Sequence, residues 1–365
     1  MKKIFGLLLI FSVMIISCSK KSDDPAVGSD KQSKKSDLVI KIPLVTWGGY
    51  AALFAANNGA EPKEDSLFYK YGGFKVELVQ EEDPANQLQG FASGTYSIIW
   101  STMDMLPLIY DSLSKDSRTV PQVIGLFDYS AGGDGIIVRG NINNGNDMKG
   151  KKIVVAQFTP SHFFIMWYLS TFNMTEKDVK MIFVPDAIKA KEAFVAESSI
   201  DVCVTWSPFI YDITDSKKDT YVKGSKLLTT TQKGNDSYGL IADVYIARTD
   251  LLKNHPEVIE AFTKAMIEGY DLFSADKPKY AKQIASFFGI KGGADEVMLM
   301  FEDVTIASKN ENKMFFDKSG KTSAYKIFDL SVDLYKKNGS AIPESFKVDA
   351  SSVIYSDAMT KSISQ

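Results

Sequence analysis

The chain has 365 residues, of which 45% are hydrophobic and 12% aromatic, and its formal net charge is −3. This length and composition predict a core large enough for two lobes. The near-neutral charge argues against nucleic acid as a partner. The sequence has two cysteines, Cys18 and Cys203, and two histidines, His162 and His255. This scarcity predicts no structural zinc site or other bound metal, and we expect no cofactor.

The N-terminal segment has the pattern of a targeting signal followed by a tether. Two lysines precede the apolar run Ile4–Ile16, which is too short for an ordinary membrane span. The run ends just before Cys18 in a pattern similar to a bacterial lipobox. We therefore predict a lipoprotein signal peptide at 1–17, a lipid-modified Cys18 and a disordered polar tether at 18–37. The protein would be anchored in the cell envelope, facing the periplasm or the outer surface. A plain secretory peptide with an incidental cysteine is the alternative.

From Leu38 onward, apolar strands alternate with turns and helices. The first part of the chain predicts elements at Leu38–Val45, Tyr50–Asn58, Phe74–Val79, Asp83–Phe91, Tyr96–Trp100, Met103–Leu113, Pro121–Phe127 and Gly135–Val138. The later part predicts elements at Ile153–Val155, Pro160–Phe172, Lys180–Val184, Asp186–Ala196, Asp201–Thr205, Pro208–Thr214, Lys226–Thr229, Leu240–Ala247, Pro256–Phe273 and Pro278–Phe288. This alternation is typical of an α/β protein with mixed, mostly parallel sheets flanked by helices.

Two polar linkers, 141–150 and 232–238, each adjoin an apolar strand. This arrangement indicates that the chain crosses into a second lobe and later returns. We predict a first lobe built from 38–139 and 240–365, a second lobe from 140–239, and a cleft between them.

The stretch Lys152–Phe172 predicts a buried strand that turns into a helix. Thr159 has the chemistry of an N-cap, and Pro160 suits the first helical position. The helix is apolar nearly all round, so we expect it to be buried. Its N-terminus, next to His162, would suit an anionic or strongly polar ligand group. The alternative is a capped core helix with a packed histidine.

Ligands of open α/β sheets bind beyond the carboxyl ends of the strands. Hydroxyl, aromatic and acidic residues recur at the predicted strand ends, and such a set suits a small polar solute. For each residue alone, ordinary turn chemistry is the alternative. The predicted ligand-binding residues are Trp47, Gly48, Tyr50, Ser101, Thr102, Asp104, Asp134, Gln157, Thr159, Ser161, His162, Asp186, Trp206 and Asp243.

Six stretches, in order along the chain, resemble the substrate-binding proteins of ABC importers of the nitrate/sulfonate/taurine type. They span 45–59, 88–104, 125–139, 148–164, 193–209 and 242–258. The resemblance implies a two-lobed periplasmic-binding-protein fold, type II-like, and delivery of a solute to a membrane permease with its ATPase. We expect a monomer. Where the family usually has a Trp-Glu-Pro motif, this chain has Trp206-Ser207-Pro208, so any contact made by the family's carboxylate is lost.

The helix N-termini and His162 favour an anionic ligand group, whereas Asp104, Asp134, Asp186 and Asp243 disfavour a bare anion. We therefore predict a small polar solute, anionic or zwitterionic and containing nitrogen or sulfur, and favour a zwitterionic or nitrogenous one with Trp47 and Trp206 among its contacts. The sequence contains no GxGxxG, GxxxxGK[ST] or GxSxG motif, so nothing in it requires an enzyme. Two other functions stay open: a surface sensor or adhesin lipoprotein, and an enzyme on the same fold similar to pyrimidine-precursor synthases.

Overall fold

Three sheets organise the part of the chain described by the computed structural model, residues 37–339 and 342–365. Every described residue belongs to one compact unit, 34–365. The strands are β1 (Val39–Leu44), β2 (Lys75–Gln80), β3 (Ile98–Thr102), β4 (Pro121–Ser130), β5 (Asp134–Arg139), β6 (Lys152–Ala156), β7 (Lys180–Val184), β8 (Val202–Trp206), β9 (Ser225–Thr230), β10 (Ala242–Arg248) and β11 (Val304–Ile306).

Helices cover these sheets. The α-helices are α1 (Ala51–Asn57), α2 (Leu67–Gly72), α3 (Pro84–Ser93), α4 (Leu106–Leu113), α5 (Pro160–Ser170), α6 (Ala187–Ala196), α7 (Phe209–Thr214), α8 (Thr249–Asn254), α9 (Pro256–Ala275), α10 (Lys277–Phe288), α11 (Gly293–Met300), α12 (Lys309–Phe316), α13 (Ala324–Asn338) and α14 (Asp357–Ile363). Helices α2, α8 and α11–α14, and strand β11, were not predicted from the sequence. Short 3₁₀ turns lie at Met103–Met105, Gly145–Met148, Glu176–Asp178 and Ala350–Ser352.

The sheets are mixed, as expected, but antiparallel pairing is the commoner kind. Strand β1 pairs with β2 in parallel, and a second sheet has the antiparallel order β11-β4-β10-β3. The third sheet has the order β7-β6-β8-β5-β9, in which β6 runs parallel to its neighbours and β5 antiparallel to its own. The predicted parallel majority is therefore wrong. That prediction rested on the general alternation of strands and helices, whereas no helix lies between β4 and β5 or between β9 and β10, and β5 and β10 pair antiparallel to their neighbours.

The two helix-free connections are also where the chain passes between the four- and five-stranded sheets. The first connection is 131–133, because β5 belongs to the five-stranded sheet. The sequence had instead placed β5 in the first lobe. The second connection is 231–241. A hydrogen bond of 2.7 Å between the hydroxyls of Ser130 and Thr231 ties the two connections together. The division into lobes stays a prediction, and the sheet membership of β5 moves its first boundary from 139 to about 133.

Helix α5 is buried against the five-stranded sheet, as its all-apolar sequence predicts. Phe164, Ile165 and Leu169 pack with Ile153 and Val155 of β6. Each such side chain contributes about 1.5–3 kcal/mol when it leaves water. Pro160 lies in the first turn, as predicted, and this anchoring fixes where the helix begins.

The predicted signal peptide at 1–17 and the modified Cys18 lie outside the described residues, as does the tether at 18–37 apart from Asp37. Within 37–339 and 342–365, no helix combines the length and the apolar character that a membrane span needs.

Candidate functional site

A small inner chamber lies where turns from the four- and five-stranded sheets meet. Its walls are Val45, Trp47, Trp100, Asp134, Pro160, Trp206, Ile241 and Asp243. Its volume is about 10 Å³, which is room for a group about as large as one water molecule. Four of the predicted ligand-binding residues, Trp47, Asp134, Trp206 and Asp243, therefore line one cavity.

Three tryptophans frame the inner chamber, and each indole N–H has a buried partner. Trp47 Nε1 donates to Asp128 Oδ2 at 3.1 Å, and Trp206 Nε1 donates to the Thr46 carbonyl at 3.0 Å. Trp100 Nε1 donates to Asp243 Oδ1. These bonds hold the rings in fixed orientations, so the aromatic walls are in place before a ligand binds.

Two buried carboxylates, Asp134 and Asp243, line the chamber. Two more, Asp104 and Asp128, lie close enough for their charges to act on Asp243, and none of the four is more than 4% exposed. Asp128 of β4 lies opposite Asp243 of β10. Asp134 of β5 lies opposite Trp206 of β8. Among the described residues that line the chamber there is no lysine, arginine or histidine. The site is thus strongly acidic.

Burial disfavours the charged form of each of these carboxyls. It raises the pKa of Asp104 and of Asp134 to about 7. It raises the pKa of Asp128 to about 8, and the nearby Asp134 adds to this effect. The pKa of Asp243 lies well above its usual range because of burial and, next, the charge of Asp128. Near neutral pH the cluster therefore holds protons that a bound cation could replace.

Several buried polar atoms around the chamber have no hydrogen-bond partner within the described ranges. They include both carboxylate oxygens of Asp104, Oδ1 of Asp128 and of Asp134, and the hydroxyls of Ser161 and Thr205. Unpaired buried polar atoms are rare in proteins and costly. Asp134 lines the inner chamber, so its unpaired oxygen indicates a group placed to meet a polar ligand.

Other predicted residues lie behind the chamber walls. Thr102 lies opposite Asp243 on the neighbouring strand, and the Ser101 hydroxyl donates to the Thr102 carbonyl at 3.2 Å. Tyr50 is fully buried, and its ring meets Phe127 edge-on at 5.2 Å. These residues support the site from the core.

Gly48 lies beside a wall residue, Trp47. An added side chain at this position would meet the Met300 Cβ at 2.9 Å. Gly48 therefore permits close packing of the turn after β1 against α11.

The side chain of Thr159 does not cap α5. Its hydroxyl donates backward to the Ala156 carbonyl at 2.8 Å, so the predicted side-chain cap is wrong. The residue instead closes the turn between β6 and α5. Ser161 follows the wall residue Pro160 and is fully buried.

Both ring nitrogens of His162 are engaged away from the inner chamber. Nδ1 accepts from the Phe158 N–H at 3.2 Å, and Nε2 bonds to the Glu176 carboxylate. The ring is fully buried and contacts Phe183, with centroids 5.0 Å apart. This arrangement favours the packed-core alternative for His162.

Two predicted residues lie at more open positions. Asp186 caps α6 by accepting from the Lys189 N–H at 2.7 Å. Gln157 is exposed on the wall of a larger neighbouring cavity. Neither residue lines the inner chamber.

Sequence reasoning missed Trp100, Asp128 and Asp303 as site residues. The sequence placed Trp100 within a strand and Asp128 in the turn after one. The alternation of side chains along β3 and β4 could have indicated which of their residues face the site. Asp303 lies between α11 and β11, where no motif marks it. Its carboxylate accepts from Ser207 at 2.6 Å and from the Tyr211 hydroxyl. Asp303 thereby joins the turn after β8 to the four-stranded sheet.

No group of three or more His, Cys, Asp or Glu side chains within the described ranges is arranged to hold a metal ion.

A cleft site between two α/β sheets, with the chain crossing between them at two connections, is the architecture of periplasmic binding proteins. The structure is similar to that of the aliphatic sulphonate-binding protein SsuA of Escherichia coli, with a TM-score of 0.65 at 16% identity, covering 88% of this chain and 92% of that one. It is similar to the nitrate-binding protein NrtA of Synechocystis PCC 6803, with a TM-score of 0.65 at 12% identity, covering 90% and 89%.

The chain belongs to the NMT1/THI5-like family, whose model matches residues 64–281. It is also 25% identical over 259 residues to the taurine-binding periplasmic protein of Escherichia coli strain K12. The matched region covers 69% of this chain and 76% of that protein.

Proposed function

We propose that the protein is an extracytoplasmic solute-binding lipoprotein that captures a small nitrogen-bearing cation or zwitterion and delivers it to an ABC permease. The main support is the inner chamber, where Asp134, Asp243 and three tryptophans meet without a lysine or arginine among the described lining residues, with Asp104 and Asp128 buried close by. Carboxylates attract an ammonium or amidinium group, and indole faces add cation–π attraction. A bare anion would be repelled by the same carboxylates.

The relatives support transport of a small solute. One is a taurine-binding protein, and taurine carries an ammonium group as well as a sulfonate. In a zwitterion, the ammonium would meet the carboxylates.

We propose binding without catalysis. Cys203 is buried, its thiol donates to the Ala190 carbonyl at 3.7 Å, and burial raises its pKa. It is therefore a poor nucleophile. His162 is engaged by Phe158 and Glu176.

A calorimetric screen of three ligand groups tests the solute class. Simple amines and amidines form the first group, the zwitterions taurine and β-alanine the second, and nitrate and alkanesulfonates the third. We expect binding in the first two groups and none in the third. Tight binding of nitrate or alkanesulfonates, with no binding of amines, would contradict the proposal.

Anchoring and delivery need separate tests. Replacing Cys18 with serine should move the protein from the detergent phase to the aqueous phase after Triton X-114 partition of whole cells. Deleting the gene should abolish uptake of the radiolabelled solute. Unchanged uptake would favour the sensor alternative. Light scattering should show a monomer.

A further inference from the structure

The inner chamber cannot hold a whole organic solute. Its volume is about 10 Å³, and a single water molecule already needs about this much space. A primary ammonium or one end of an amidinium is of similar size. The charged head group therefore fits beside Asp134 and Asp243, and the body of the solute has to lie elsewhere.

A larger outer chamber adjoins the same turns. Its volume is about 530 Å³, which is within the range of about 300–1,000 Å³ for small-molecule sites. No residue of the described chain lines both chambers, but the turn after β6 contributes to each: Gln157 and Phe158 line the outer chamber, and Pro160 lines the inner one. Likewise, Met105 lines the outer chamber directly after the buried Asp104.

The outer chamber is predominantly apolar. Its apolar walls include Leu88, Met105, Leu108, Ile109, Phe158 and Phe183. The rings of Phe158 and Phe183 remain 37% and 39% exposed. Large exposed aromatic side chains that line one cavity are typical of a ligand-binding surface.

Phe158 also has a backbone conformation that is unfavourable for its residue type. Its φ of 59° lies in the left-handed region, which bulky side chains rarely adopt. The hydrogen bond from its N–H to His162 Nδ1 holds it there. Such strained conformations concentrate at ligand sites. Here the conformation places the phenyl ring of Phe158 on the wall of the outer chamber.

From these observations we infer that the solute is an organic amine or amidine with an apolar body. Its cationic head enters the inner chamber, and its alkyl or aryl body lies in the outer chamber. This inference rests on the proposed function, which supplies the cationic head group of the solute. The outer chamber adds the chemistry of the rest of the solute.

The test is a titration of the whole protein with primary n-alkylamines from methylamine to octylamine, at about pH 8, where the amines stay protonated. We expect roughly fourfold tighter binding for each added methylene group that enters the outer chamber. Hexan-1-ol, which has the same body and no charge, should bind far more weakly than hexylamine.

Phe183→Ser and Leu88→Ser should flatten this dependence on chain length. Leu227→Ser is the matched control. Phe183 and Leu227 lie on the two edge strands of one sheet, β7 and β9, and both are exposed, but Leu227 does not line the chamber. Melting curves show whether each variant is folded.

The possible failures are distinguishable. Equal affinity for methylamine and hexylamine, or an unchanged length dependence in both folded variants, would overturn the apolar-body inference alone. Binding of hexanol as tight as that of hexylamine would overturn the cationic head group and hence the proposed function.

Discussion

Asp128 and Asp243 lie directly opposite one another on the adjacent antiparallel strands β4 and β10, and both are buried. Each accepts one indole N–H, from Trp47 and from Trp100 respectively. Like charges opposite each other on a sheet are destabilising, and two indole donors do not neutralise them. The pair therefore requires a proton or a bound cation, which links solute binding to pH and to stability.

Asp128→Asn should make the ligand-free protein more stable at about pH 8, by about 1–3 kcal/mol. The pKa of Asp128 is raised to about 8 in the folded protein, whereas an unfolded chain has about 3.9. The folded state therefore binds this proton more tightly, and its stabilising contribution is lost as pH rises from about 4 through about 8. Urea denaturation across this window measures the effect.

The difference in free energy of unfolding between Asp128→Asn and the unaltered protein should disappear below about pH 4, where Asp128 is protonated in both the folded and the unfolded state. Asp111→Asn, at an exposed position on α4, is the control and should change little at any pH. An Asp128→Asn variant less stable than the unaltered protein at pH 8 would contradict the argument.

Amine binding should strengthen as pH rises from about 6 to about 8.5, because the carboxylates must lose protons to receive a cation. Titration of hexylamine by calorimetry in buffers of different ionisation enthalpy should show proton release at about pH 7. Asp134→Asn should weaken binding by at least roughly tenfold, since truncating one partner of a buried charge pair costs about 2–5 kcal/mol. Affinity that is independent of pH would argue against carboxylate recognition.

His162→Ala should lower the free energy of unfolding by about 2–4 kcal/mol, because it leaves the Phe158 N–H and Glu176 without their buried partner. The affinity for methylamine should change little. Strong loss of methylamine binding without loss of stability would show that His162 contributes to ligand binding and not to the core.

Phe158→Gly is expected to alter stability by no more than about 1 kcal/mol. It relieves a left-handed conformation that costs a bulky residue about 1–2 kcal/mol, while glycine loses more chain entropy on folding. Hexylamine should nevertheless bind more weakly, since the ring leaves the outer chamber. A calorimetric comparison of methylamine and hexylamine separates this effect from a general loss of the site.

Trp206→Phe should weaken solute binding. The variant keeps an aromatic wall but loses the 3.0 Å hydrogen bond to the Thr46 carbonyl, which joins β8 of one sheet to the turn after β1. Tyr211→Phe removes a comparable contact, to Asp303. Each loss should cost about 1 kcal/mol, or about a fivefold loss of affinity. Calorimetry with hexylamine should show this loss in each variant, whereas unchanged affinity would assign these bonds a purely local role.

Local pattern in the sequence determined most of the elements before the C-terminal helices. The strands from Val39–Leu44 to Ala242–Arg248 lie within a few residues of their predicted positions, because apolar runs and capped helix starts are short-range signals. The positions of Trp47, Asp134, Trp206 and Asp243 at strand ends or starts were enough to select them for a common site. The expected mixture of acidic and aromatic residues also came from the sequence alone.

Tertiary structure decided which partners those residues found. Trp100 bonds to Asp243 across 143 residues, and Trp206 bonds to Thr46 across 160. Strand β5 belongs to the five-stranded sheet and not to the first lobe as predicted. The His162 side chain bonds to Glu176 and does not line the inner chamber. Periodicity and turn chemistry act over a few residues, whereas strand order and strand direction depend on packing the whole core. The opposition of Asp128 and Asp243, and with it the acidic character of the site, exists only once β4 and β10 pair.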